Sequence, residues 1–214
     1  MKNTTLAVSI VATLAGFGMS SIASGAVVVI NSRATWDVYV GFQGATVATE
    51  DFESFAPGFA ESATRAVGGT TWTANATGGL YFGDVDVPPV HQVISTNGTN
   101  ATLNFTFAPG VQGIGGEMFA TNSSFGVVLA RITVTLADGT SYVNDQTTAT
   151  DFVGFYSNGA TISSISVATS TQGTFATVDN LYFATVPAPG VLALISLAGV
   201  VGGRSRRRAT SAAA

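Results

Sequence analysis

The chain has no cysteine among its 214 residues. Disulfide staples, thiolate metal sites and cysteine nucleophiles are therefore excluded, and stability must come from a packed core or a bound ion. There is a single histidine, His91, so a histidine-cluster metal site is excluded as well. A serine triad would have to use His91, with Asp84, Asp86 or Asp151 to orient it, yet no Gly-x-Ser-x-Gly elbow is present. The plainer reading of His91 is an exposed or hydrogen-bonded side chain following Pro88-Pro89.

Charge is scarce too, at 9% of residues, with only eight lysines and arginines. Five of those eight lie near the two ends: Lys2, Arg204, Arg206, Arg207 and Arg208. Between them only Arg33, Arg65 and Arg131 stand against all twelve acidic residues, a net charge of −9. Binding nucleic acid needs a basic surface, so that class of partner is excluded. The same balance argues against an anionic lipid surface. It suits divalent cations or neutral polysaccharide.

What is present begins with the ends. Lys2 precedes an apolar stretch, Leu6 to Met19, and then small residues, Ser20-Ser21-Ile22-Ala23-Ser24-Gly25-Ala26. That is the order of a secretory signal peptide, placing residues 1–26 outside the mature protein. At the other end, Val186-Pro187-Ala188-Pro189-Gly190 leads into the uncharged run Val191 to Gly203. Neither proline donates an amide hydrogen, so the pair separates the preceding strand pattern from that run. As a helix, residues 190–203 span roughly 20 Å at ~1.5 Å per residue. A bilayer core is ~30 Å thick, so such a span needs snorkelling flanks or local thinning. The arginines at 204 and 206–208 follow at once, as a stop-transfer segment requires.

Proline motif, short apolar helix and arginine cluster together resemble the PEP-CTERM sorting signal of exported bacterial proteins. Here the motif is Val186-Pro187-Ala188-Pro189, with Ala188 where that signal usually has Glu. The resemblance covers residues 186–208 and leaves 209–214 as a disordered tail. It implies export, transient anchoring in the membrane and processing by an exosortase-type enzyme. It also implies a destination at the cell surface or in an exopolysaccharide or biofilm matrix.

Residues 27–185 remain, roughly 160 in number and enough for one domain with a full core. Ser32 is placed to cap a short helix over Arg33 to Tyr39, with Trp36 in the core. Elsewhere the pattern is of strands. Ala101, Leu103, Phe105 and Phe107 alternate with polar residues, as do Val128, Ala130, Ile132, Val134 and Leu136. Asp138-Gly139 marks a hairpin turn, and Phe152 to Tyr156 is apolar throughout. Phe52 and Phe55 cannot share a face of a regular strand, which predicts a bulge or turn. Thr70 to Ala74 and Leu80 to Phe82 read as two short strands. Strands at about ten-residue spacing with turn chemistry between them predict an all-β antiparallel sandwich, jelly-roll-like.

Parity along residues 175–183 places Asp179 with Leu181 and Phe183, facing the core. A carboxylate there must be paired, hydrogen-bonded to backbone amides at a sheet end, or on a metal. The segment Val178-Asp179-Asn180-Leu181 resembles the closing strand of jelly-roll carbohydrate-binding modules. That resemblance implies a structural calcium shared by Asp179 and an acid of an early strand, for which Glu53 is the counterpart. Asp84 and Asp86 are a second acidic pair, on a solvated loop or as a cation site. Trp72, Tyr81 and Phe82 offer either core packing or a stacking platform for sugars. The Asn-x-Thr acceptor patterns at Asn75, Asn97, Asn100 and Asn104 are expected by chance in so threonine-rich a chain.

The expectation is an exported, non-catalytic β-sandwich sorted by its tail, with polysaccharide as partner and no nucleic acid. Two other classes are open: a small secreted hydrolase of polysaccharide, needing convergent carboxylates such as Asp84, Asp86 and Glu117, and a self-assembling surface protein using free sheet edges.

Overall fold

The computed structural model describes residues 26–85, 91–146 and 148–186. The expected signal peptide, the sorting-signal residues from Pro187 onward and Asp86 therefore lie outside the described residues. Within them the chain is almost wholly antiparallel strand.

Strand β1 (Val27–Ile30) leads into helix α1 (Arg33–Phe42), which Ser32 caps by accepting from the Thr35 amide. The helix buries Trp36 and Val40, two residues one turn apart, and leaves Val38 and Phe42 in solvent. Then come β2 (Thr46–Glu50), β3 (Gly58–Val67), β4 (Thr70–Asp84) and β5 (Gln92–Thr96). They are followed by β6 (Leu103–Phe107), β7 (Val111–Thr121), β8 (Val127–Val128) and β9 (Ala130–Leu136). Strands β10 (Ser141–Gln146), β11 (Phe152–Ser157), β12 (Ser164–Thr169) and β13 (Phe175–Thr185) complete the set.

The ladder runs β1-β11-β7-β13-β5-β4-β6-β12-β9-β10, with β2 added beside β13 and β3 beside β4. Strand β4 turns this ladder into two layers. Its first half pairs with β6, its second half with β5, and β3 runs beside both halves. Gly78 and Gly79, both at φ +85, lie between the halves. Only glycine takes that conformation without strain, so the backbone turns there from one layer to the other. Residues 70–74 and 80–82 are thus one bent strand rather than the expected two. Strands β2 and β3 carry no clean alternation and were not expected from the pattern.

Between the layers lies the main core. Trp72, Leu103, Phe105, Ile132, Val134, Ile165 and Val167 come from one side. Ile94, Ile114, Met118, Val153, Phe155, Val178, Leu181 and Phe183 come from the other. Glu50 ends inside this core, yet it is fully occupied. Its carboxylate accepts from Trp72 Nε1 at 3.0 Å and the Phe52 amide at 3.1 Å, with Arg65 Nη1 at 3.5 Å. The turn at Phe52, φ +59, lets Phe52 enter the core while Phe55 stacks on Phe82 at 4.4 Å.

Candidate functional site

Strands β7 and β13 form the centre of one layer, and their outer face carries the polar chemistry. The pairing is regular from Phe175↔Thr121 to Asp179↔Glu117, then slips by one residue to Leu181↔Gly116. Asn180, at φ +49, is the extra residue of this bulge. A bulge reverses parity. Asp179 therefore shares the outer face with Thr177 and Phe175, while Leu181 and Phe183 point into the core. The expected common face for Asp179, Leu181 and Phe183 is corrected on this ground.

Along that outer face three patches follow one another. Near the start of β7 and the end of β13 the helix lies on the sheet. Trp36 packs on Phe152, Tyr182 and the bare backbone of Gly154, where an added Cβ would meet the indole at 2.3 Å. Arg33 sits 3.5 Å above the Tyr182 ring and pairs with Asp37 at 2.8 Å.

The middle patch is acidic. Glu117 and Asp179 stand side by side on neighbouring strands. Glu117 Oε1 accepts from the Tyr182 hydroxyl at 3.2 Å, and its buried Oε2 has no hydrogen-bond partner. Burial pushes the Glu117 carboxyl up to about 7, with the neighbouring Asp179 charge adding to it. Burial likewise pushes Asp179 up to about 6, against the pull of His91 and helped by Glu53 and Asp51. Glu53 itself is half exposed. It accepts from the Gln92 amide at 2.9 Å and lies 3.8 Å from His91 Nδ1. The expected calcium pair is thus close enough to interact electrostatically. Among the described residues, no three His, Cys, Asp or Glu side chains converge as a metal cage. Calcium takes six to eight oxygens, so Glu53 and Asp179 would need backbone carbonyls to complete a site. Asp84 is exposed at the end of β4, paired in register with Gln92.

The third patch is a groove of about 380 Å³ at the far end of the same face. Its floor is a chain of buried hydroxyls: Ser95 Oγ to Thr177 Oγ1 at 3.0 Å, and Thr177 Oγ1 to Thr121 Oγ1 at 2.9 Å. Tyr81 and Phe125 form one wall, ring centroids 5.3 Å apart and tilted by 41°. Asn122 builds the loop that delivers Phe125. Its side-chain oxygen accepts from the Ser124 and Gly126 amides at 2.9 and 3.0 Å. Phe125 takes φ +59 within that loop. Its ring then lies over Gly83, where a Cβ would meet it at 3.0 Å. Phe175, Thr96, Asn97, Ser123 and Ser124 complete the lining. Among the described residues it is lined by hydroxyls, amides and aromatic rings, with no carboxylate and no cation.

Of the expected aromatic platform, Trp72 and Phe82 are buried and only Tyr81 reaches the groove. Phe125 and Asn122 were not singled out from the sequence. An Asn-Ser-Ser-Phe-Gly turn is legible there, but where its ring lands depends on β4, some forty residues earlier.

No protein-family model matches the chain, and no curated protein is similar enough to count as a relative. Among solved structures it is similar to the CBM22-1 xylan-binding domain of Xyn10C from Paenibacillus barcinonensis. The identity is 13% over 67% of this chain and 97% of that one, with a TM-score of 0.38.

Proposed function

We propose that this chain is an exported, non-catalytic surface protein that binds an uncharged polysaccharide in the groove beside Tyr81 and Phe125. The observation that carries the reading is the lining itself. A sugar ring presents an apolar face ringed by hydroxyls. It is met here by two tilted aromatic rings over a bed of serine, threonine and asparagine groups. Among the described lining residues there is no carboxylate to serve as acid or base for hydrolysis. Nor is there among them a cation to pair a uronate or sulfate.

Export, transient anchoring and exosortase-type processing enter the proposal from the terminal segments alone. Delivery to an exopolysaccharide-rich matrix is the setting in which such a groove would find its ligand. A structural calcium on Glu53 and Asp179, completed by backbone carbonyls, is a separate part of the proposal and plays no role in the groove.

Affinity electrophoresis of the mature protein tests the reading. Gels containing neutral xylan or β-glucan should retard it, while polygalacturonate should not. Phe125→Ala should abolish the retardation, because about 1–3 kcal/mol of stacking and burial is lost, roughly tenfold or more in affinity. Equal mobility in every neutral gel would remove the proposal.

A further inference from the structure

The end of the domain opposite the groove carries two features that the glycan reading does not use. The first is an uncovered apolar face on α1. Phe42 is 87% exposed and Val38, one turn earlier, is 75% exposed. Val47, just past the helix on β2, is 39% exposed. A lone exposed apolar residue needs no explanation, but a contiguous set does.

The second is where the chain leaves. Residues Val28, Tyr156, Gly113, Ala184 and Val47 form one continuous row across five strands. Both ends of the domain therefore meet at this edge. Thr46, three residues past the helix cap Gln43, pairs with Thr185, their hydroxyls 3.2 Å apart. Val186 is the last described residue, and the uncharged run begins at Val191. Five residues reach at most about 18 Å, so that run starts within about 18 Å of Val186.

Charge is sorted to match. In a domain of net charge −9, the segments 38–49, 107–116, 152–163 and 180–186, which build this end, contain no charged residue. Asp138 lies on the hairpin beyond Val27, on the side away from α1, and its carboxylate accepts the Thr140 amide. On α1 itself the one carboxylate, Asp37, is paired with Arg33 at 2.8 Å, so the net acidic charge that argues against lipid contact for the domain as a whole is not concentrated where contact would occur.

We infer that α1 is a membrane-facing surface, with Phe42 and Val38 seated in the lipid interface while the tail holds the chain at the bilayer. The proposal rests on the tail being a membrane segment and is independent of what the groove binds. An apolar helix face seats about 5–10 Å into the headgroup boundary, the depth a phenylalanine at the helix end can reach. Strand β13, eleven residues from Phe175 to Thr185, places the groove roughly 33 Å along the sheet from this edge.

The absence of cysteine makes the test simple. Phe42→Cys and Thr99→Cys, both at exposed positions, each take one environment-sensitive fluorophore on the full chain. The chain is reconstituted in phosphatidylcholine–phosphatidylglycerol vesicles with or without a lipid-borne quencher. The label at 42 should lose about half its emission or more to the quencher, and the label at 99 almost none. Equal quenching at the two positions in vesicle-bound protein overturns the proposal and leaves the anchor standing. Failure of the chain to float with the vesicles removes the anchor, and this proposal with it. Because an apolar label adds its own affinity, unlabelled Val38→Ser/Phe42→Ser is the second measurement. Amide exchange over residues 38–47 should be slowed on vesicles in the parent and unchanged in the variant. The same exchange in both would count against the proposal.

Discussion

The two ends of one sheet, joined by β7 and β13, differ in what they leave uncovered. At the helix end the exposed large apolar residues are Phe42, Val38 and Val47, and the charge on α1 is the Arg33–Asp37 pair. At the groove end the surface is tilted rings over hydroxyls and amides. Midway between stand Glu117 and Asp179, with Asp51, Glu53 and His91 close by. The difference teaches how a half-exposed antiparallel sheet can be divided by cover alone. The inner faces of these strands are uniformly apolar. The outer face changes character every two or four residues: glycine beneath the helix, carboxylate in the middle, threonine and phenylalanine at the groove.

The largest break in this comparison comes from the helix seat. Trp36 is fully buried, edge-on to Phe152, with Gly154 kept bare beneath it. Trp36→Ala should cost about 3–5 kcal/mol in urea unfolding. Gly154→Val attacks the same seat from below, and should cost about 1–3 kcal/mol by overpacking. Both should lower the urea midpoint of the whole domain, because the strands under the helix are the strands under the groove. Two separate transitions would mean that the ends are not one cooperative unit.

At the groove the matching substitution is Gly83→Val. A branched side chain there would displace the Phe125 ring and leave Tyr81 without its partner. Neutral polysaccharide binding should fall by about tenfold, 1.4 kcal/mol, in the affinity gel. The urea midpoint should move far less than for Trp36→Ala. A groove variant that loses stability but keeps its ligand would reverse the assignment of the two ends.

How much of this was legible beforehand depends on distance along the chain. The helix was, because Ser32 and the spacing of Trp36 lie within one turn of each other. So were the alternating strands β6 and β9 and the Asp138-Gly139 hairpin, each a local pattern. The face of Asp179 was not, since it turns on one extra residue, Asn180, whose conformation no period-two count reveals. Nor was the groove, because Tyr81, Thr121, Phe125 and Phe175 come from four segments brought together only by pairing. Glu50 hides for the same reason: its partners Trp72 and Arg65 arrive from a hairpin that starts beyond a turn.

The smallest effect sits between the two ends and concerns pH. The Glu117 carboxyl is raised from 4.5 to about 7 and that of Asp179 from 3.8 to about 6, both mainly by burial. A carboxyl whose folded pKa lies above its unfolded one favours the folded state most below the unfolded value. That contribution is lost as pH rises through the folded value. Stability should therefore fall between about pH 4 and 7, as both groups are forced to ionise side by side. Discounted for the part of Glu117 that reaches solvent, the expected fall in Tm is about 5 °C. Glu117→Gln should flatten about half of that slope, because it removes one of the two ionisations and leaves the buried Asp179. A calcium ion on Asp179 and Glu53 would act in the opposite sense, neutralising charge that protons otherwise must. Melting at pH 8 should then rise in calcium over chelator, and the gap should close toward pH 5 as Asp179 takes up its proton. A steep pH slope with identical melts in calcium and chelator would assign the pair to protons alone.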